Sequence, residues 1–235
     1  MMEKKERIAK KMAEAGLCSR REAERWIAAG RVKINGEILK TPACVVGEKD
    51  VILVDNNPIK TKEKTRVWMY HKPAGLVTTH HDPQGRPTVF EKLPKSLPRV
   101  ISVGRLDLNS EGLLLLTNDG EWARKMELPS SHLERTYHVR VHGALTKDVL
   151  ARLSKGVKID GIQYAPAKVV LEKKQGTNTW IYMTLTEGKN REIRRLMSFF
   201  GLDVARLVRV SYGPYQMKDL KSGEIKEVPC VLFQE

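Results

Sequence analysis

The chain has 235 residues, 41% hydrophobic and 30% charged, enough for one large domain or two unequal ones around a real core. Its 42 Lys and Arg outnumber 28 Asp and Glu, giving a net charge of +14 and an isoelectric point near 9.7, which points to a polyanionic partner and to nucleic acid first. Cys18, Cys44 and Cys230 are odd in number and far apart, which argues against a disulfide framework and a cysteine zinc site. The charged start lacks the apolar stretch of a secretory leader, and no run reaches the ~18 apolar residues of a membrane span. The expectation is a cytoplasmic protein without a membrane partner.

Residues 3–15 place Ile8, Met12 and Ala15 on one helical face, and Gly16 stops that helix. Ser19-Arg20-Arg21-Glu22 is a capping box that starts a second helix, running through Trp26 to Ala29 and ended by Gly30. Val32 to Leu39 alternates around Asn35-Gly36, the strongest short hairpin signal. Polar residues 56–65 mark a boundary, so residues 1–61 read as a small domain and 62–235 as a larger one. In the larger part, residues 67–70, 100–103, 137–141, 159–170 and 180–185 read as strands. Residues 191–200 read as a helix with Asn190 as N-cap and Gly201 as its stop. The fold class expected is α+β with a mostly antiparallel sheet.

Arg20, Arg21, Arg25, Arg31 and Lys33 gather around one corner of the first part, where cations and free helix amides can grip phosphates; a solvated helix face is the plainer alternative. Ser-Arg-Arg-x-Ala-Glu, Gly-Arg-Val and Val-x-Ile-Asn-Gly occur here in an order that resembles the small S4-type RNA-binding domain of a ribosomal protein. The resemblance implies RNA docking.

Three segments of the larger part belong together. Residues 104–120 hold Asp107 two positions after Arg105, ahead of Gly112 and the apolar run Leu113 to Leu116. A carboxylate there is either structural or a nucleophile. Asp119, in an Asn-Asp-Gly turn, is assigned a structural role. Tyr137, Val139 and Val141 share one strand face. In the third segment Ile193, Leu196, Met197 and Phe200 form a helical core stripe. Arg194 lies at the edge of that stripe, suited to a half-buried carboxylate, whereas Arg191 and Arg195 point away, toward solvent or phosphate. His80-His81-Asp82 reads as a solvated loop, and no metal is expected.

Gly104-Arg-Leu-Asp-x-x-Ser-x-Gly-Leu-Leu-Leu-Leu-Thr117 and Glu187-Gly-Lys-Asn-Arg-Glu-Ile-Arg-Arg-Leu196 resemble the signatures of one group of ribosomal RNA pseudouridine synthases. That group comprises the A-type enzyme of the small ribosomal subunit together with the B-, E- and F-type enzymes of the large one. Lys72-Pro-x-Gly75 and Asp82-Pro-x-Gly-Arg-Pro-Thr-Val89 match the group's upstream segments, and the wording is most like the B-type branch, which acts on large-subunit RNA. Ser110 stands where threonine is more usual and keeps the hydroxyl.

The resemblance implies a cofactor-free, metal-free isomerase acting on ribosomal RNA or an assembly intermediate as a monomer. Uracil is detached from C1′, turned and rejoined through C5. By motif match, Asp107 is the nucleophile toward the ribose C1′ or the uracil ring, or assists a glycal-like route. Arg194 is its cationic partner and Tyr137 the active-site aromatic, suited to stacking on the flipped base and to proton transfer. Leu207 lines the pocket, and Arg105 fills the place the base vacates. The rival readings are a catalytically silent RNA-binding or assembly protein, a synthase whose substrate is small-subunit ribosomal RNA or tRNA, and a glycoside hydrolase, for which no clear second acid is present.

Overall fold

The computed structural model describes residues 5–231. It divides into two compact units: the chain through Arg66 with Lys95–Ile101 and Asn118–Gly120, and Val67–Pro94 with Ser102–Thr117 and the chain from Glu121 onward.

In the first unit, helix α1 spans Ile8–Glu14 and α2 spans Arg20–Ala28. The first helix begins later than its periodicity predicts, because Glu6–Arg7 pairs as a short strand with Val45–Val46; residues 3 and 4 lie outside the described residues. The Ser19 hydroxyl accepts the amide of Glu22 at 3.1 Å, which satisfies one of the free donors at the start of α2. Strands β1 (Val32–Ile34), β2 (Glu37–Ile38), β3 (Ile52–Val54) and β4 (Asn57–Pro58) form a sheet in the order β2-β1-β3-β4. Asn35 (φ 51°) and Gly36 (φ 94°) turn the β1–β2 hairpin, as their positive φ angles require. Ile8, Met12, Ala23, Ile27 and Val32 are fully buried beneath the sheet and helices. Each large one contributes about 1.5–3 kcal/mol by leaving water.

The second unit is built on a nine-stranded sheet. Its main strands are β5 (Val67–Lys72), β6 (Glu111–Thr117), β7 (Arg135–His142), β8 (Lys168–Gln175), β9 (Asn178–Leu185), β10 (Asp203–Tyr212) and β11 (Ile225–Val228). Their order is β8-β9-β7-β10-β6-β5-β11. Every neighbouring pair along this path is antiparallel except β10 and β6, which pair parallel at Val208–Glu111 and Arg209–Gly112. The predicted strand 159–170 is instead a short hairpin, Val157–Ile159 with Ile162–Tyr164, followed by β8. Asp160 (φ 48°) and Gly161 (φ 78°) form its turn, a dipeptide whose left-handed preference breaks the apolar run.

Helices α3 (Gly120–Glu127), α4 (Lys147–Leu153) and α5 (Glu192–Phe199) complete the unit. The α5 stripe buries Ile193, Leu196 and Met197 against Val139, Val141, Ile181, Met183 and Leu207, with Phe200 at its margin. The predicted cap at Asn190 is displaced by one residue: Arg191 is the N-cap, in the left-handed region at φ 51°. Its own side chain makes no capping bond; the Glu192 carboxylate instead accepts the amide of Lys189 at 2.8 Å.

Candidate active site

Asp107 lies in the loop that leads into β6, half-exposed, between the buried Leu106 and the turn at Leu108-Asn109. Consecutive carbonyls of this loop are each tied to a donor. The Thr78 hydroxyl donates to Leu106 O at 2.9 Å, and the Gly75 amide to Leu108 O at 2.8 Å. The Lys72 ammonium donates to Asp107 O (3.1 Å), Leu108 O (3.3 Å) and Ser110 O (2.8 Å). Arg194 closes the set by donating Nη2 to Asn109 O at 3.1 Å and Nη1 to Val204 O at 3.0 Å, so it joins α5, β10 and the loop. A backbone whose acceptors are all satisfied this way has little freedom to shift, and the Asp107 side chain is carried at a fixed place.

Lys72 is the residue the motif reading left without a role. It is 0% exposed, and burial lowers its pKa to about 8 against the opposing pull of Asp107 and Glu111. A period-two reading of β5 contains the signal, since Trp68, Tyr70 and Lys72 share one face and the lysine therefore enters the interior with the two aromatics. Thr78 was also without a role, and nothing in its local pattern announces the bond to Leu106.

The sheet register sets the remaining pieces. Tyr137 on β7, Arg209 on β10, Gly112 on β6 and Lys72 on β5 form one row across the sheet. Adjacent strands are ~4.8 Å apart, which puts the backbones of Tyr137 and Gly112 about 10 Å from each other. Gly112 (φ 102°) is obligatory: a Cβ there would sit 2.3 Å from the carbonyl oxygen of Arg209. A register shift opposite Thr136 and Tyr137 leaves Val210 as the extra residue of a bulge in β10, next to the row that holds Tyr137 and Arg209. Tyr137 and Leu207 border the same apolar cluster, Leu207 nearly buried and Tyr137 partly so.

The cation beside the Asp107 carboxylate is not the one expected. Arg191 Nη1 stands 3.7 Å from Asp107 Oδ2, while the Arg194 guanidinium is given to the two carbonyls. The left-handed turn at Arg191 explains the exchange, because it breaks the regular helical angle from which the side chain was placed outward. Arg194 is still close: burial and the like charge of Arg191 lower its pKa, and the attraction of Asp107 opposes them. Arg195 is exposed, as is Arg105, which follows Gly104 (φ 67°) at the loop's start.

In the first unit Arg20, Arg21 and Arg25 are exposed. Arg31 pairs with Asp55 and lies 4.7 Å over the Trp26 ring, and Lys33 donates to Asn56 at 2.9 Å. Asp119 is structural, nearly buried and accepting from Thr65 at 2.7 Å. The His80 ring stacks on Phe90, and Asp82 is taken up by Arg86 at 2.7 Å.

A family model described as RNA pseudouridylate synthase matches residues 66–199, and one described as the S4 domain matches residues 6–52. The chain belongs to the RNA pseudouridine synthases. The members of this family isomerise uridine to pseudouridine in RNA. A Rickettsia bellii protein named as an uncharacterized RNA pseudouridine synthase is 50% identical over 97% of this chain and 99% of its own length. Ribosomal large subunit pseudouridine synthase B of Yersinia pestis is 44% identical over 93% of this chain and 71% of its own. The Pseudomonas aeruginosa protein of the same name is 42% identical over 95% of this chain, which spans 59% of its length. A crystal structure of a pseudouridylate synthase superposes with a TM-score of 0.67 at 30% identity, covering 95% of this chain and 96% of that one. The family and the B-type likeness read from the motifs agree with these findings. Among the described residues, no helix is long and apolar enough to cross a membrane.

Proposed function

We propose that this synthase converts a uridine of large-subunit ribosomal RNA to pseudouridine in the cytoplasm, with Asp107 as the catalytic carboxylate. In the reaction the N1–C1′ bond breaks, a C5–C1′ bond forms, the C5 proton passes to solvent and N1 takes up a proton. The group needed is a carboxylate held rigidly where a flipped-out nucleotide can meet it, attacking C1′ or the ring or assisting a glycal-like route. The observation that carries this reading is the Asp107 loop, whose carbonyls are tied by Thr78, Lys72, Gly75 and Arg194 while the side chain faces Arg191.

Tyr137 stacks on the target base and Leu207 lines its pocket. Arg105, exposed beside the nucleophile, takes the place the base leaves, and Arg195 meets the phosphates of the surrounding strand. Residues 1–61 serve as the docking domain, with Arg20, Arg21, Arg25, Arg31 and Lys33 on the phosphates, and residues 62–235 carry the chemistry. The names of the Yersinia pestis and Pseudomonas aeruginosa relatives favour large-subunit RNA over the other substrates.

Release of tritium from 5-tritiated uridine in ribosomal RNA tests the assignment. Asp107→Asn is expected to lose at least about 10³-fold in turnover while RNA affinity stays within about three-fold. Full turnover by that variant overturns the role of Asp107.

A further inference from the structure

Glu187 and Glu192 form a carboxyl pair behind the site that the reading above leaves unused. Glu192 opens α5 and is 4% exposed. One of its oxygens accepts the Lys189 amide at 2.8 Å, and the other is buried with no nitrogen or hydroxyl donor in reach. The side chain within hydrogen-bonding reach of the Glu192 carboxyl is the carboxyl of Glu187. Two carboxylates cannot hydrogen-bond to each other, so the contact requires one proton between them.

The surroundings say which residue carries it. Glu187 already accepts the Ala165 amide at 2.9 Å and pairs with the Lys189 ammonium, so it keeps the negative charge. Burial opposes that charge, but these bonds and the one from Glu192 outweigh it and hold the Glu187 pKa down. Burial and the neighbouring Glu187 push Glu192 up to about 7.

The pair closes the loop from Thr186 to Arg191. At one end Arg135 donates to Thr186 O at 3.2 Å. At the other, Arg191 adopts a left-handed backbone that non-glycine residues avoid, immediately before Glu192 and with its guanidinium 3.7 Å from Asp107. We propose that Glu192 is a positioning residue of this site: a proton shared with Glu187 locks the 186–191 loop and so holds Arg191 against Asp107. The inference rests on the catalytic reading of Asp107. Losing the proton sets two negative charges against each other in a buried place, and the loop that presents Arg191 loosens. The other charges facing the pair are Lys189 on the loop and Arg135 on β7, which reaches Thr186 O; Arg191 and Arg194 are directed to Asp107 and to the Val204 and Asn109 carbonyls, and Arg195 is exposed. Lys158 lies on the short strand packed against α5.

Carboxyl-carbon NMR on the full-length protein tests the proton directly, with the Glu192 signal assigned by its loss in Glu192→Gln. The signal is expected to titrate near pH 7 instead of the ordinary ~4.3, and the Arg191 guanidinium signal to move with the same midpoint. Glutamine keeps the neutral bond to Glu187 and the acceptor for Lys189. The ratio of kcat for Glu192→Gln to wild type should therefore be flat below about pH 6 and rise roughly five-fold by pH 8, with KM unchanged. Lys72, which titrates higher, bends both profiles alike and cancels in the ratio. Glu192→Ala should lose at least about ten-fold in kcat at every pH, and the glutamine variant should restore it at low pH. A Glu192 signal titrating at its ordinary value, or a flat ratio through pH 8, overturns the proposal. Should the wild-type protein form no pseudouridine, the functional reading fails. The two NMR midpoints then still decide whether the proton holds Arg191.

Discussion

The two units use their cations in opposite ways. In the first, Arg20, Arg21 and Arg25 stand in solvent, and Arg31 shares an exposed pair with Asp55. In the second, Lys72, Arg135 and Arg209 are buried, and their partners are mostly backbone carbonyls. Arg209 donates to Leu113 O at 2.7 Å, and Arg135 to Leu133 O at 3.0 Å, the two guanidinium groups lying over the Tyr212 ring at 5.1 and 4.6 Å. Desolvating a cation is costly, so it persists in a core where several acceptors would otherwise lack a donor. The basic composition that pointed to RNA thus covers two jobs: surface cations available to phosphate, and interior cations that hold the backbone of the site in place.

Replacing Lys72 with Met should break this contrast most severely. The apolar chain fits the volume, but the carbonyls of Asp107 and Ser110 lose their buried donor, and the expected loss is about 3 kcal/mol in urea unfolding. The pH dependence gives a second check. Below about pH 8 Lys72 is charged in both folded and unfolded chains; between about 8 and 10.4 the unfolded chain holds a proton that the folded one has released. The contribution of this group to stability therefore rises across that window. The wild type should gain on Lys72→Met as pH climbs from 8 to 10. A constant difference between the two would mean the ammonium is not held away from water.

What could be read in the sequence divides along the same line. The first unit is made of local rules: the Ser19 cap, the Gly16 stop and the Asn35-Gly36 turn each act within four residues, and the structure contains all three. In the second unit the strands and the α5 core stripe were legible, because alternation and helical period are also local. Bonds that fix the site are not. Lys72 reaches carbonyls more than thirty residues away, and Arg194 reaches Asn109 from the far side of the chain. The motifs brought Asp107, Tyr137 and Arg194 together without specifying which atoms meet. An ideal helical wheel then chose Arg194 for the carboxylate, and one left-handed residue at Arg191 was enough to change the partner. The Asp160-Gly161 turn, by contrast, was a readable signal inside a stretch taken as one strand.

Arg194 of α5 and Arg191, its N-cap, sharpen the comparison at intermediate cost. Arg194 works on the backbone, as Lys72 does, whereas Arg191 is exposed and works on charge. Arg194→Ala frees the Asn109 and Val204 carbonyls, so both folding and kcat should suffer, by about 1–2 kcal/mol and about 100-fold. Arg191→Ala should leave the unfolding midpoint within about 0.5 kcal/mol and lower kcat about ten-fold, an effect that weakens as salt is raised. Equal kinetic losses with equal stability would return Arg194 to the role of counter-ion.

The smallest effects belong to the exposed cations of the first unit, and they separate RNA contact from mere solubility. Each arginine that neutralises a phosphate releases a counter-ion, so its removal should lower the slope of log affinity against log salt by about 0.7–0.9. Alanine at Arg20, Arg21 or Arg25 should produce that change one residue at a time in binding to a ribosomal RNA fragment. The unfolding midpoint should not move, since exposed side chains of this kind leave no orphaned partner behind. An unchanged slope in all three variants would make that corner a solvated helix face. The phosphate contacts would then have to come from exposed cations of the second unit such as Arg105 and Arg195, since its buried cations are already committed to the backbone.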